Sequence, residues 1–221
     1  MIGGTGDEGY GLALRWAKHG YEITVGSRDP ARARDAAARI QSAVGKNAHV
    51  SGSANLEAAS KADVVVITVP FTGLSDTLKS IKPSLRPGHI VVNVTVPLET
   101  SVGGSATRTI EVWDGSAGQL ASRLLPKDVK LVTAFNNVSA EMLNDLSKEV
   151  ECDVLICGRD EDAKKIVMEM ARSIPGVRGI DAGPLENSRT IEQVTALLVS
   201  LNVRHGVKSA GIRITGVHPK A

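Results

Sequence analysis

Aromatic side chains are scarce in this chain, at 3% of 221 residues, too few for the stacking platforms with which proteins grip single-stranded nucleic acid. Charge of one sign is not in surplus either. The 26 Lys and Arg stand against 24 Asp and Glu, a formal charge of +2, where a dedicated nucleic-acid binder shows a strong basic excess. No apolar run approaches the roughly 18 residues that span a bilayer, and no leader-like segment stands ahead of the first motif. The two cysteines, Cys152 and Cys157, are too few for a disulfide framework and lack zinc-ligand spacing; lying in a short apolar run, they are expected as buried, reduced thiols. What these absences leave is a cytoplasmic globular protein with neither nucleic acid nor membrane as partner. Hydrophobic residues at 42% and charged residues at 23% are ordinary globular usage and supply a core for one domain, or one domain with a small appendage.

Short runs rich in Val and Ile alternate with amphipathic stretches along the sequence. Residues 21–25, 63–69, 89–94, 129–134 and 152–157 read as buried strands, and 12–18, 31–44 and 74–85 as helices between them. Such alternation implies βαβ units: an α/β fold with a doubly wound, mostly parallel sheet. Farther on, Ile191, Val194, Leu197, Leu198 and Leu201 form one stripe of a helix over 188–204, closed by His205-Gly206. That helix is more apolar than a surface crossover requires. It marks a small C-terminal helical lobe, with residues 1–138 as the nucleotide-binding domain and 139–221 as the lobe, and its face over 190–201 makes a homodimer the expected assembly.

Gly4-Thr5-Gly6-Asp7-Glu8-Gly9 matches G-x-G-x-x-G and is followed at once by a helical pattern. The first glycine permits the tight turn, the second a close approach of backbone to a pyrophosphate, and the third close packing of helix on sheet. The helix start adds unpaired N–H groups and a positive dipole end. In this helix–strand context the hexapeptide predicts dinucleotide binding. Only Met1 and Ile2 precede Gly3, so the first strand of such a fold is almost missing, and the sequence is expected to begin a few strand residues late.

The second strand ends in Val25-Gly26-Ser27-Arg28, where an NAD site usually carries an acid for the ribose 2′-hydroxyl. Ser27 offers a donor, Arg28 a planar cation suited to phosphate, and Arg32 returns to the same helical face four residues on, whereas Arg34 points elsewhere. These residues predict NADP(H). Ligands of parallel sheets sit beyond the carboxyl ends of the strands, which here are Val69-Pro70-Phe71, Thr95-Val96-Pro97-Leu98 and Ala134-Phe135-Asn136-Asn137-Val138. Phe71 and Ser75 share a helix face there and flank the nicotinamide half.

Acid–base machinery is missing. Leu14 and Val25 stand four residues after Tyr10 and Tyr21, so there is no Tyr-x-x-x-Lys pair. His19, His49, His89, His205 and His218 fall at helix stops, strand starts or the tail and read as surface residues. Reduction of a ketone normally needs a proton donor, whereas hydride passage between two cofactor rings needs only their stacking. The sequence favours the second.

Gly3 to Leu14, Val25-Gly-Ser-Arg28, Val91 to Leu98, Ala134-Phe-Asn-Asn-Val138, Cys152-Asp-Val-Leu-Ile-Cys-Gly158, Asp181-Ala-Gly-Pro-Leu-Glu-Asn-Ser-Arg189 and Gly211-Ile-Arg-Ile-Thr215 together resemble, in order, the NADP-dependent reductases of the deazaflavin coenzyme F420. The resemblance implies a Rossmann-like domain and reversible hydride exchange between NADP(H) and coenzyme F420. It also implies that Thr5, Gly6, Asp7 and Glu8 line the pyrophosphate turn while Ser27, Arg28 and Arg32 hold the 2′-phosphate. Phe71, Ser75, Leu98 and Ala140 would contact the rest of the nucleotide, and Val96, Pro97, Asn136 and Val138 would border the deazaflavin. Two other readings stay open on the residues alone: an NADPH-dependent reductase of a flavin or imine, and a non-catalytic NADP-binding regulator.

Overall fold

The computed structural model describes residues 1–217; His218 and the last three residues lie outside them. α1 (Asp7–His19) rises straight from the glycine turn, with Asp7 and Glu8 in its first turn and Lys18 and His19 in its last, charges that suit the helix dipole. β1 (Ile23–Ser27) follows, two residues later than the sequence suggests. α2 (Pro30–Val44) has Asp29 as N-cap, accepting from the Ala31 N–H, and a proline at its first position, where the missing N–H costs nothing. β2 (Val50–Ala54), α3 (Asn55–Lys61) and β3 (Val64–Ile67) come next. Pro70 ends that stretch, and α4 (Phe71–Ile81) starts immediately after it. β4 (Ile90–Asn93), α5 (Ala117–Leu124), β5 (Lys130–Thr133), α6 (Ala140–Asn144), β6 (Cys152–Gly158), α7 (Glu161–Arg172), β7 (Val177–Asp181) and α8 (Ser188–His205) complete the order.

β1 pairs with β2, and β3 with β4 and β5, all in parallel. Ile2 joins the two sets by bridging in parallel to Gly26 on one side and Ile67 on the other. Its N–H donates to Val66 O and its carbonyl accepts from Thr68 N. This one residue therefore occupies the central first-strand position, and the chain winds outward from it in both directions. Side chains alternate across the sheet. Val66, Val92 and Val132 pack under Leu12, Trp16, Ala33 and Ile40, whereas Val65, Ile67 and Val91 pack under Leu74, Leu78, Ile81 and Ala121. Two cores on opposite faces are the signature of the doubly wound, Rossmann-like arrangement.

The helical element expected near the C-terminus is α8, but the segment after residue 138 also extends the sheet. β6 runs antiparallel to β5, and β7 lies parallel to β6. α6 is fastened to α1 by Arg15, 3% exposed, whose guanidinium donates to the carbonyls of Leu143, Met142, Asp145 and Lys148. The tail is held at fully buried Asp153, which accepts from Arg178, Arg213 and the Ile214 N–H. Cys152 and Cys157 are buried free thiols, as expected. His89 departs from the surface reading. It is 2% exposed, and burial lowers its pKa.

Candidate functional site

The switch between the two windings falls at Ile2, so the crevice for a ligand opens beyond it. The turn there is Gly3-Gly4-Thr5-Gly6. The left-handed backbone belongs to Gly3, at φ 80°, rather than to Gly4, where the sequence reading places the tight turn. A Cβ on Gly4 would instead press on Met1 and Val25 at 3.0 and 3.2 Å. Gly9 fulfils the packing role: a Cβ there would lie 2.4 Å from Thr68 Oγ1 and 2.9 Å from Gly4 Cα. At Gly6 the nearest atom to such a Cβ is Gly3 O at 3.8 Å, so the outer side of the turn is open. Gly6 is also the N-cap of α1 and provides no side-chain cap, which leaves the first-turn N–H groups for an external anion. These features fit a pyrophosphate.

At the end of β1, Ser27 is 9% exposed and its Oγ accepts from Asp29 N at 3.2 Å, keeping its own O–H proton free to donate. Arg28 and Arg32 are exposed, and neither forms an ion pair among the described residues. The nearest carboxylate, Asp29, is used at the start of α2 as its N-cap. Two unpaired guanidinium groups and an occupied acid fit a ribose phosphate better than a bare ribose hydroxyl.

Hydrogen bonds tie together the carboxyl ends of the central strands. Thr95 Oγ1 donates to Val69 O at 3.0 Å, Asn136 Nδ2 to Val94 O at 3.0 Å, and Thr195 Oγ1 of α8 to Asn136 O at 2.8 Å. Immediately before Asn136, Phe135 adopts φ 64°, a strained conformation for a bulky residue, costing on the order of 1–3 kcal/mol. Its buried ring meets Trp16 edge-on at 5.3 Å, and the Trp16 indole donates to Met170 O at 2.9 Å. Packing thus holds the strain where it orients the loop. The buried Oδ1 atoms of Asn93, at the end of β4, and Asn136, just after β5, have no partner, and such buried acceptors call for an explanation.

Val69, Phe71, Ser75, Val96, Leu98 and Ala140 are half-buried, Pro97 and Val138 buried, and Pro70 exposed. All stand on the loops or first helical turns that follow β3, β4 and β5. Phe71 and Ser75 do share α4. Glu8 differs from its neighbours in the turn. Its Oε1 is enclosed and unpartnered, and burial pushes its carboxyl up to about 8. Sequence reading places Thr95 at a strand end without giving it a role, and it passes over Thr195. The available signal was polar: buried Ser188 and Glu192 and half-buried Thr195 form a stripe on α8, whose first two members bond Ser116 Oγ and the N–H groups of Ala117 and Gly118. Two further cavities, of about 440 and 590 Å³, lie where the tail packs on β6 and β7. Among the described residues no group of His, Cys, Asp and Glu is arranged to hold a metal, and no helix is long and apolar enough to cross a membrane.

Fold and crevice together define an oxidoreductase-type dinucleotide-binding protein. Residues 1–97 match the family described as NADP oxidoreductase, coenzyme F420-dependent. The F420-dependent NADP reductase of Methanothermobacter thermautotrophicus is 45% identical over 219 residues, covering 98% of this chain and 94% of that one. Its namesake from Methanocaldococcus jannaschii is 44% identical over 220 residues, covering 98% and 97%. A crystal structure from Arthrobacter sp. FB24, described as an F420 dependent NADP-reductase, shares the fold with a TM-score of 0.79 at 23% identity, covering 95% of this chain and 96% of that one. This chain belongs to the F420-dependent NADP reductase family.

Proposed function

We propose that the protein transfers a hydride reversibly between NADP(H) and the deazaflavin coenzyme F420. The observation that carries this reading is the 45% identity, over 98% of the chain, to a reductase of that name. When both are bound, the nicotinamide and deazaflavin rings supply the redox chemistry between themselves. The chain's part is placement and electrostatics. Gly4, Thr5, Gly6, Asp7 and Glu8, at the start of α1, line the turn that holds the pyrophosphate. Ser27, Arg28 and Arg32 take the 2′-phosphate and so select NADP(H) over NAD(H). Val69, Pro70, Phe71, Ser75, Leu98 and Ala140 flank the nucleotide. Val96, Pro97, Asn136 and Val138 border the deazaflavin, with the Asn136 loop prepositioned by its bonds to β4 and α8. No side chain acts as acid or base in the transfer.

Mixing the protein with NADPH and oxidised F420 tests the reading. Loss of the oxidised deazaflavin absorbance is expected. Turnover with a free flavin alone would replace the acceptor, and nucleotide binding without any turnover would make the protein a regulator. We read Leu197 and Leu201, 57% and 37% exposed on α8, as the seat of a second copy, so the solution mass should be that of a homodimer. The two free thiols suit a reducing cytoplasm.

A further inference from the structure

One acid in the first turn of α1 has nothing to bond. Glu8 makes no hydrogen bond or ion pair among the described residues, and its Oε1 is shut away from water. A buried carboxylate without a cation is costly, so such a group stays neutral until a positive charge approaches.

Its neighbours locate it. α1 starts at the pyrophosphate turn, and the Asp7 carbonyl, one residue before Glu8, accepts from Asn144 Nδ2 of α6 at 3.0 Å. α6 begins at Ala140, directly after the loop that carries Asn136 and Val138. Glu8 therefore lies between the turn that holds phosphates and the loop that borders the rings. A nucleotide reaching from one to the other runs past this carboxyl.

No protein cation competes for it. On the α6 side Glu141 pairs with Lys208 and Asp145 with Lys148, while Arg15 is occupied by four carbonyls. From α2, Arg39 lies over the Tyr10 ring. The Met1 ammonium donates to Thr24 O beside β1. Asp7, the other acid of the turn, is exposed, and on β6 the titratable Cys152 thiol is pushed up by burial.

Resting on the NADP(H) reading above, the geometry points to Glu8 as the residue that senses the charge of the nicotinamide ring and, once ionised, favours the oxidised nucleotide over the reduced one. Both forms bring the same phosphates, so phosphate repulsion cancels when they are compared. Only the oxidised ring adds a positive charge. Binding NADP⁺ therefore releases a proton from Glu8 that binding NADPH leaves in place. By linkage, the ratio Kd(NADPH)/Kd(NADP⁺) climbs with pH by at most about tenfold per unit. It levels off once Glu8 is ionised in both complexes.

The test is to measure both dissociation constants from roughly pH 6.5 to 9, NADPH by its fluorescence and NADP⁺ by calorimetry, on the full chain and on Glu8→Gln and Glu8→Leu. The wild-type ratio should rise at least about fivefold, and both variants should hold it within about twofold. Calorimetry of the wild type in buffers of different ionisation heat should show more proton release with NADP⁺ than with NADPH near pH 7.5, a reading independent of whether the variants fold. A flat wild-type ratio with equal proton release, or a rise that survives in both variants, overturns the role of Glu8. Failure of either nucleotide to bind the wild type would instead overturn the NADP(H) reading, and this inference with it.

Discussion

The side-chain amide of Asn136 donates to the main-chain carbonyl of Val94 at 3.0 Å, fastening the loop after β5 to the end of β4. Thr195 holds the same residue from the other side through its carbonyl. A loop pinned twice at one residue, directly after a left-handed phenylalanine, is set before any ring arrives. Preorganisation of that kind saves ordering cost on binding.

Asn136→Ala removes the link to Val94 and leaves that carbonyl unpaired. The KM for the deazaflavin should rise roughly tenfold or more, the equivalent of one hydrogen bond of 1–2 kcal/mol. NADPH affinity should change by less than about threefold. Steady-state kinetics with each substrate varied in turn measures both.

Arg28→Asp puts an acid where phosphate is expected. NADPH binding should weaken by about a hundredfold or more, and NADH binding by far less, because the lost contact is a charge-assisted one made only to the 2′-phosphate. Fluorescence titration with the two nucleotides decides it, and equal losses would remove Arg28 from the phosphate site.

Gly9→Ala drives a methyl group against Thr68 and Gly4. α1 must then lift from the sheet and carry the pyrophosphate turn with it. Nucleotide affinity should fall at least about tenfold, and overpacking should cost about 1–3 kcal/mol of stability. Denaturant titration beside a binding isotherm separates the two effects.

Arg15→Met retains bulk but orphans four carbonyls at α6. The expected loss in urea unfolding is about 2–4 kcal/mol. A loss near zero would mean that water satisfies those carbonyls in the variant.

Glu192 links pH to stability. Burial raises its pKa, against the pull of the Ala117 and Gly118 N–H groups, to about 7. The unfolded chain ionises near the ordinary 4.5, so between these values the folded state binds the extra proton and stability falls as pH rises. Unfolding from pH 4.5 to 7 should lose a contribution on the order of 3 kcal/mol in the wild type relative to Glu192→Gln. Parallel curves for the two proteins would contradict it.

The glycine turn and the phosphate-recognising end of β1 were legible because their chemistry is local: a hexapeptide before a helix, and a tripeptide lacking an acid. Within the turn, only the backbone path reveals that the left-handed φ falls on Gly3, one residue ahead of the hexapeptide. β2 escaped because Val50–Ala54 has no apolar alternation. Its Gly52 exists to admit the α2 backbone, at 2.4 Å from where a Cβ would stand. The antiparallel turn of β6 has no local cause in its Val- and Ile-rich run. Asn136 and Thr195 lie 59 residues apart, a separation across which periodicity says nothing. Glu8 is named from the sequence only among the residues lining the pyrophosphate turn, and nothing local foretells that its Oε1 is enclosed.

The most direct test of hydride passage is isotopic. NADPH deuterated at both C4 positions, incubated with oxidised F420 and the protein, should yield reduced deazaflavin carrying one carbon-bound deuterium by mass spectrometry. Reduced deazaflavin without deuterium, or no reduction at all, would contradict the account.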